Sequence, residues 1–273
     1  MQLQIGKEKT VDEGMFRHMA LNSLRYYRQK FGDEYGELVI CCEDRHIWRK
    51  EFFPQYKQHR KKERSESDLD WGMIFDTINI IRDELIEFFP YKVLQVRGAE
   101  ADDIIATLCH AEGDQILRMS DPILIMSSDK DFRQLHTYAN VDQYSPIQKK
   151  WIKETDPEGY LREHILRGDR GDGVPNFLTG DDALLNGERQ AKLTKTTMDK
   201  WMNEDPTVFC ENENQMRGYL RNKRLVDLSE IPSKLQFAIM EAYMAENTNG
   251  RGKLFQYFID KRLKFLMSRL GEF

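Results

Sequence analysis

An α/β fold, with a mainly parallel central sheet flanked by helices and a smaller helical part after it, is what the sequence predicts. Three observations carry this expectation. Short runs dominated by apolar residues at 38–42, 93–96 and 123–126 have the length and texture of strands buried in a parallel sheet. Between them stand longer stretches whose apolar residues recur every three or four positions, the helical period. After residue 150 the strand signals fade while helical stretches continue.

Taken in order, residues 12–30 place Met15, Phe16, Met19, Leu24 and Tyr27 at roughly helical spacing, with Gly32 as a stop. Residues 38–42 follow as a buried strand. A basic stretch comes next, and then a helix in which Trp71, Ile74, Phe75, Ile78, Ile81, Leu85 and Phe88 form a core-facing stripe that ends at Pro90. Residues 93–96 read as a strand, 99–111 as a helix with Ile104, Ile105 and Leu108 inward, and 123–126 as a further buried strand. This alternation defines a first domain over residues 1–150. Residues 151–273 form the helical part, in which 168–180 is rich in Gly and Asp, 180–230 shows no repeat and suggests local mobility, and 252–270 reads as one helix with Phe255, Ile259, Leu266 and Leu270 on a single side.

The chain has 273 residues, enough for one large domain or a main domain with an appendage. A hydrophobic fraction of 40% with 32% charged residues excludes wholesale disorder. The longest apolar runs are about a quarter of the ~20 residues that a membrane span needs, so no membrane association is expected. Cys41, Cys42, Cys109 and Cys210 include no C-x-x-C spacing and suit neither a disulfide framework nor a zinc ribbon, which points to a reducing cytoplasm. The formal net charge is −5, yet residues 45–64 carry eight Lys or Arg against two Glu, with Trp48, Phe52, Phe53 and Tyr56 interleaved. That local excess, which includes Arg49, Lys50, Lys57, Arg60, Lys61 and Lys62, is a candidate electrostatic footprint for a phosphate backbone, weighed against a merely solvated helix.

Acids cluster at three places: Glu100, Asp102 and Asp103; Asp129 and Asp131; Asp169 and Asp172. Position gives these clusters weight, because Asp129 and Asp131 directly follow a predicted strand at its carboxyl end, where open α/β sheets place ligand sites. Glu43 and Asp44 follow another. Glu100 and Asp102 occupy a first helical turn, where dipole matching competes with metal binding as their explanation. Converging carboxylates repel one another unless cations neutralise them, and oxygen ligands at this density suit Mg²⁺ or Mn²⁺. An acidic site beside a basic arm suggests phosphodiester hydrolysis.

The ordered set Glu100-Ala-Asp102-Asp103, Ser127-Ser-Asp129-Lys-Asp131-Phe132 and Gly168-Asp169-Arg-Gly-Asp172-Gly-Val-Pro175-Asn176 resembles the 5′-nuclease (flap endonuclease) superfamily. The stretches beginning at Trp48, Tyr144 and Arg251 are similar to its T-even phage ribonuclease H branch. The resemblance covers nearly the whole chain and implies a PIN-like nuclease fold and a two-metal 5′-to-3′ exonuclease or flap endonuclease. Such an enzyme removes RNA primers and short 5′ DNA segments in phage lagging-strand replication. It implies that Glu100, Asp102, Asp129 and Asp131 hold two Mg²⁺ (or Mn²⁺) ions, that Asp169 and Asp172 complete the second site, and that Lys57 and Arg60 contact the scissile phosphate. It also implies that Gly168, Gly171, Gly173 and Asn176 belong to a helix-turn-helix variant gripping duplex DNA. The implied partners are duplex DNA and RNA–DNA hybrids with 5′ ends or flaps. A single-strand-binding replication protein could dock on the C-terminal helix, and the chain itself is expected to be a monomer in the host cytoplasm.

Two departures from the family pattern define an alternative. Either Glu43 or Asp44 stands where the family has an Asp before the arm. Residues 1–11 carry no apolar run for the family's first strand and its Asp, so a longer reading frame that supplies them is expected. Without that Asp, the alternative is a catalytically impaired, structure-specific nucleic-acid-binding protein.

Overall fold

The computed structural model of the chain describes residues 12–113, 121–245 and 251–273. The expectation about residues 1–11 lies outside them. In chain order the elements are α1 (Glu13–Tyr35), β1 (Val39–Cys42), α2 (Trp48–Phe52), α3 (His59–Ser65), α4 (Trp71–Phe88), β2 (Lys92–Gln95), α5 (Ala101–Gly113), β3 (Ile123–Met126), β4 (Val141–Ser145), β5 (Lys150–Ile152), α6 (Pro157–Arg167), α7 (Lys195–Trp201), α8 (Pro206–Phe209), α9 (Glu213–Val226), α10 (Ser233–Met244), α11 (Leu254–Asp260) and α12 (Lys264–Met267). Local chemistry sets several of these limits. Asp70 and Asp156 cap α4 and α6 by accepting from the backbone N–H groups of Met73 and Gly159, and Pro157 opens α6 where its missing N–H costs nothing. Gly168 ends α6 at a φ of +66°, and a Cβ there would lie 2.4 Å from the Pro175 carbonyl oxygen.

The strands are mainly parallel, as expected, but among the described residues they form two pieces. β1 pairs with β2 in parallel, Ile40 opposite Val93, and β3 pairs with β4 in parallel, Ile125 opposite Gln143, with β5 antiparallel on the far side. Strands with one described neighbour are less covered than central ones. All four residues of β1 are half-buried, and in β3 only Ile125 is buried.

Three apolar clusters organise the packing, and each joins residues from both sides of position 150. Ile104 on α5 shares one cluster with Leu94, Ile125, Val141 and, from α10, Leu235 and Ile239. Phe16, Leu21, Ile81 and Leu85 of α1 and α4 pack with Leu254, Phe258, Leu266 and Phe273. Ile47, Phe53 and Tyr56 of the basic stretch pack with Leu166, Phe177, Tyr219 and Leu225.

Several expectations need correction. The C-terminal helix is two short helices separated by a turn in which Arg262 adopts a φ of +57°. Its inward residues are Leu254, Tyr257, Phe258 and Leu266, leaving Phe255 and Ile259 in solvent. The reason is that α11 must meet α1 and α4 around a buried ion pair: Glu84 accepts from Arg17 and Tyr257 at 2.7 Å and faces Lys261 at 2.6 Å. The inward stripe of α4 is likewise narrower than its sequence suggests, with Phe75 and Ile78 exposed. Residues 180–230, expected to be loosely organised, contain α7, α8 and α9 around stacked or edge-on Phe177, Trp201, Phe209 and Tyr219. The expected helix-turn-helix is half formed: α6 leads into a tight turn at Arg170–Asp172, but the next helix begins only at Lys195.

Candidate active site

The basic stretch folds against the acidic clusters rather than standing away from them. Lys57 sits at a φ of +55°, its N–H donating to the Asp172 carbonyl at 2.8 Å. Its Nζ reaches Glu100 at 2.5 Å and lies 3.7 Å from Asp172. Arg60 donates to Asp172 at 2.7 Å, and the Tyr56 hydroxyl donates to the same carboxylate at 2.7 Å. Gly173, at a φ of +76°, allows this approach, since a Cβ there would stand 3.1 Å from the Gln55 carbonyl. On the inner side of the stretch, Arg49 donates to Glu100 at 2.8 Å, Asp103 at 2.7 Å and the Leu225 carbonyl at 2.9 Å. Trp48 Nε1 donates to Asp103 at 3.1 Å. Burial would raise the Glu100 carboxyl, but Lys57 and Arg49 hold it below the ordinary carboxylate range.

A second group of acids lacks this compensation. Asp102 in the first turn of α5 is pushed up to about 7 by burial and by the charges of Asp129 and Glu100, which Lys57 only partly offsets. Asp131, just beyond β3, is pushed up to about 7 by burial and by Asp129, Asp169 and Asp172, with His164 opposing. Among the described residues, Asp131 Oδ1 and His164 Nδ1 are both buried without a hydrogen-bond partner, and they lie 3.6 Å apart. Ligand atoms of Asp131, His164 and Asp169 all fall within 4.8 Å of one another. Unfilled acceptors and mutually repelling carboxylates are the donor set that a divalent cation completes, so these residues fit such an ion.

The N-terminal resolvase-like domain of 5′-3′ exonucleases matches residues 8–164, and the C-terminal domain of T4 RNase H matches residues 156–273. The chain belongs to the 5′-3′ exonuclease family. It is 33% identical to ribonuclease H of Enterobacteria phage T4 across 98% of this chain and 89% of that protein. It is 25% identical to a flap endonuclease Xni of Shewanella baltica across 72% of this chain and 71% of that one. The phage T5 5′-exonuclease, in a structure with divalent zinc ions bound, shares the fold at a TM-score of 0.58 and 16% identity, covering 91% of this chain and 90% of that one. The protein is thus a hydrolytic nuclease of the 5′ type.

In this nuclease the residues expected from sequence divide sharply. Lys57, Arg60, Glu100 and Asp172 meet in one ion-pair group, and Asp102, Asp129 and Asp131 are joined by mutual charge effects. Glu43 is exposed; Asp44 accepts from the N–H groups of Gly98 at 3.0 Å and His46 at 3.3 Å, pinning two loops together. Arg49, expected to touch phosphates, is 2% exposed and wholly engaged inside the protein. The aromatic residues expected around it are mostly core too, since Trp48, Phe53 and Tyr56 are buried and only Phe52 faces solvent. Lys50, Lys61 and Lys62 are exposed. Asn176 is also buried, accepting from Leu178 N–H and the Thr179 hydroxyl and donating to the Ala191 carbonyl. Gly168 and Gly173 are buried where backbones approach closely, and Gly171 alone of the three glycines is exposed. Sequence reasoning passed over His164 and Lys130. A lone His near a helix end carries no signal, and Lys130 shows its meaning only through its 2.8 Å contact with Asp169.

Proposed function

We propose that the nuclease removes RNA primers and short 5′ DNA segments during lagging-strand replication. It would act on 5′ ends and flaps of duplex DNA and RNA–DNA hybrids in the cytoplasm of the host, with two Mg²⁺ ions, or Mn²⁺, as cofactor. The observation that carries this reading is the meeting of Asp102 and Asp131, two buried acids that the nearby charge of Asp129 leaves under-compensated, with arm cations that reach the adjoining Glu100 and Asp172. Bound divalent ions supply an activated water and stabilise charge on the attacking and leaving oxygens.

The chain's own residues do the rest. Asp102, Asp129 and Asp131 would hold the ions. Lys57 and Arg60, paired with carboxylates here, exchange those partners for the scissile phosphate, which offers the same anionic oxygens without requiring the arm to refold. Arg49 and Trp48 keep α2 fixed to α5 by sharing Asp103, so that the arm's position is set before substrate arrives. Lys50, Lys61 and Lys62 are left for flanking phosphates. Relatives named ribonuclease H and flap endonuclease support the substrate class. The test is cleavage of 5′-labelled flap and RNA-primed duplexes with Mg²⁺, with Mn²⁺ and with excess EDTA. Cleavage in Mg²⁺ that disappears with EDTA and with Asp129→Asn is expected; cleavage unchanged by EDTA overturns the proposal.

A further inference from the structure

We infer that His164 supplies a nitrogen ligand, beside Asp131, to a divalent ion, and that this biases the site toward Mn²⁺, Co²⁺ or Zn²⁺ over Mg²⁺. The inference deepens the proposed function and rests on it. His164 projects from the last turns of α6 and is 6% exposed, with each ring nitrogen facing a carboxylate. The two faces differ. Nε2 lies 3.1 Å from Asp169 Oδ2, within hydrogen-bond reach, and Nδ1 lies 3.6 Å from Asp131 Oδ1, outside it, with neither of these last two atoms otherwise partnered among the described residues.

Both oxygens of Asp169 are already engaged in the ion-free protein. Its Oδ1 accepts from the N–H groups of Gly171 and Asp172, and its Oδ2 from His164 and Lys130. With four donors in place Asp169 orients the ring: it accepts a hydrogen bond from Nε2–H and leaves the Nδ1 lone pair facing Asp131. A carboxylate that accepts the far N–H of an imidazole is the usual support of a metal-bound histidine. Two donors each ~2.1 Å from one ion stand roughly 3.0–3.5 Å apart, so a gap of this size needs little adjustment. Mg²⁺ prefers oxygen and keeps its waters, whereas imidazole favours the later transition ions.

The test is pulsed EPR on the wild-type chain with Mn²⁺, which detects the ¹⁴N nucleus of a directly bound imidazole, together with Mn²⁺ and Mg²⁺ affinities by titration. A nitrogen coupling is expected in wild type and in His110→Gln, whose ring nitrogens are engaged by Tyr138 and the Leu228 carbonyl away from the site. It should vanish in His164→Gln, with the preference for Mn²⁺ over Mg²⁺ falling about tenfold or more. Mn²⁺ bound without nitrogen coupling in wild type overturns the inference and leaves the nuclease proposal standing; so does a coupling retained in His164→Gln. No binding of either ion would overturn both.

Discussion

Arg49→Met separates a buried scaffold from a nucleic-acid contact at one position. The substitution keeps the apolar stem and removes a guanidinium that is 2% exposed and donates to Glu100, Asp103 and the Leu225 carbonyl. Glu100 would retain Lys57, but among the described residues Asp103, fully buried, would keep only Trp48 Nε1 and the Glu100 N–H. Breaking a buried pair from one side costs about 3–5 kcal/mol, because the remaining charge stays desolvated. At roughly 2–4 °C per kcal/mol for a chain of this size, Tm should fall by about 6–20 °C. The deficit should also depend on pH. Burial raises the Asp103 carboxyl while Arg49 lowers it, so without Arg49 its folded value rises further above the unfolded one. A carboxyl raised in the folded state binds more protons there, and stability is lost as pH climbs from the unfolded value toward the folded one. The variant's deficit is therefore larger at pH 8 than at pH 5. Thermal unfolding without divalent ions at both pH values, and duplex affinity across a salt series, are the assays. A Tm within about 2 °C of wild type, accompanied by a salt slope reduced by about 0.9, would refute the reasoning and restore Arg49 as a phosphate contact.

Lys57→Ala should lower kcat by roughly 10²-fold or more while changing duplex affinity little, since positioning and transition-state charge are lost but the exposed Lys61 and Lys62 remain; equal losses in both would count against it. Gly168→Ala should destabilise by more than the ~1–2 kcal/mol of a left-handed backbone alone, because its Cβ would also meet the Val174 and Pro175 carbonyl oxygens. Gly36→Ala, at a φ of +74° with open space around it, should show only the backbone cost, and equal urea midpoints for the two variants would contradict this account. Asp102 and Asp131, both raised to about 7, destabilise the ion-free protein as pH rises from about 4 to about 7. Divalent ions should therefore raise Tm more at pH 8 than at pH 5.5, and a pH-independent gain in scanning calorimetry would rule out these two acids as ligands.

The sequence by itself determined the kinds of element and much of the chemistry. The periods around Ile81 and Ile104, the apolar run at Ile123–Met126 and the acids placed just after it are local patterns, and local patterns survive translation into structure. The ordered acid motifs were equally legible because they depend on neighbours in the chain. What only the tertiary structure decided is which charges meet. Arg49 and Lys57 lie in one basic stretch and look alike in sequence, yet one is sealed against Asp103 and the other opens onto Glu100 and Asp172. His164 gained its meaning from a fold that carries the last turns of α6 to the end of β3, where Asp169 also meets Lys130, His164 and two backbone N–H groups. Charge strength and ligand availability depend on burial and on partners distant in sequence, and only packing creates those.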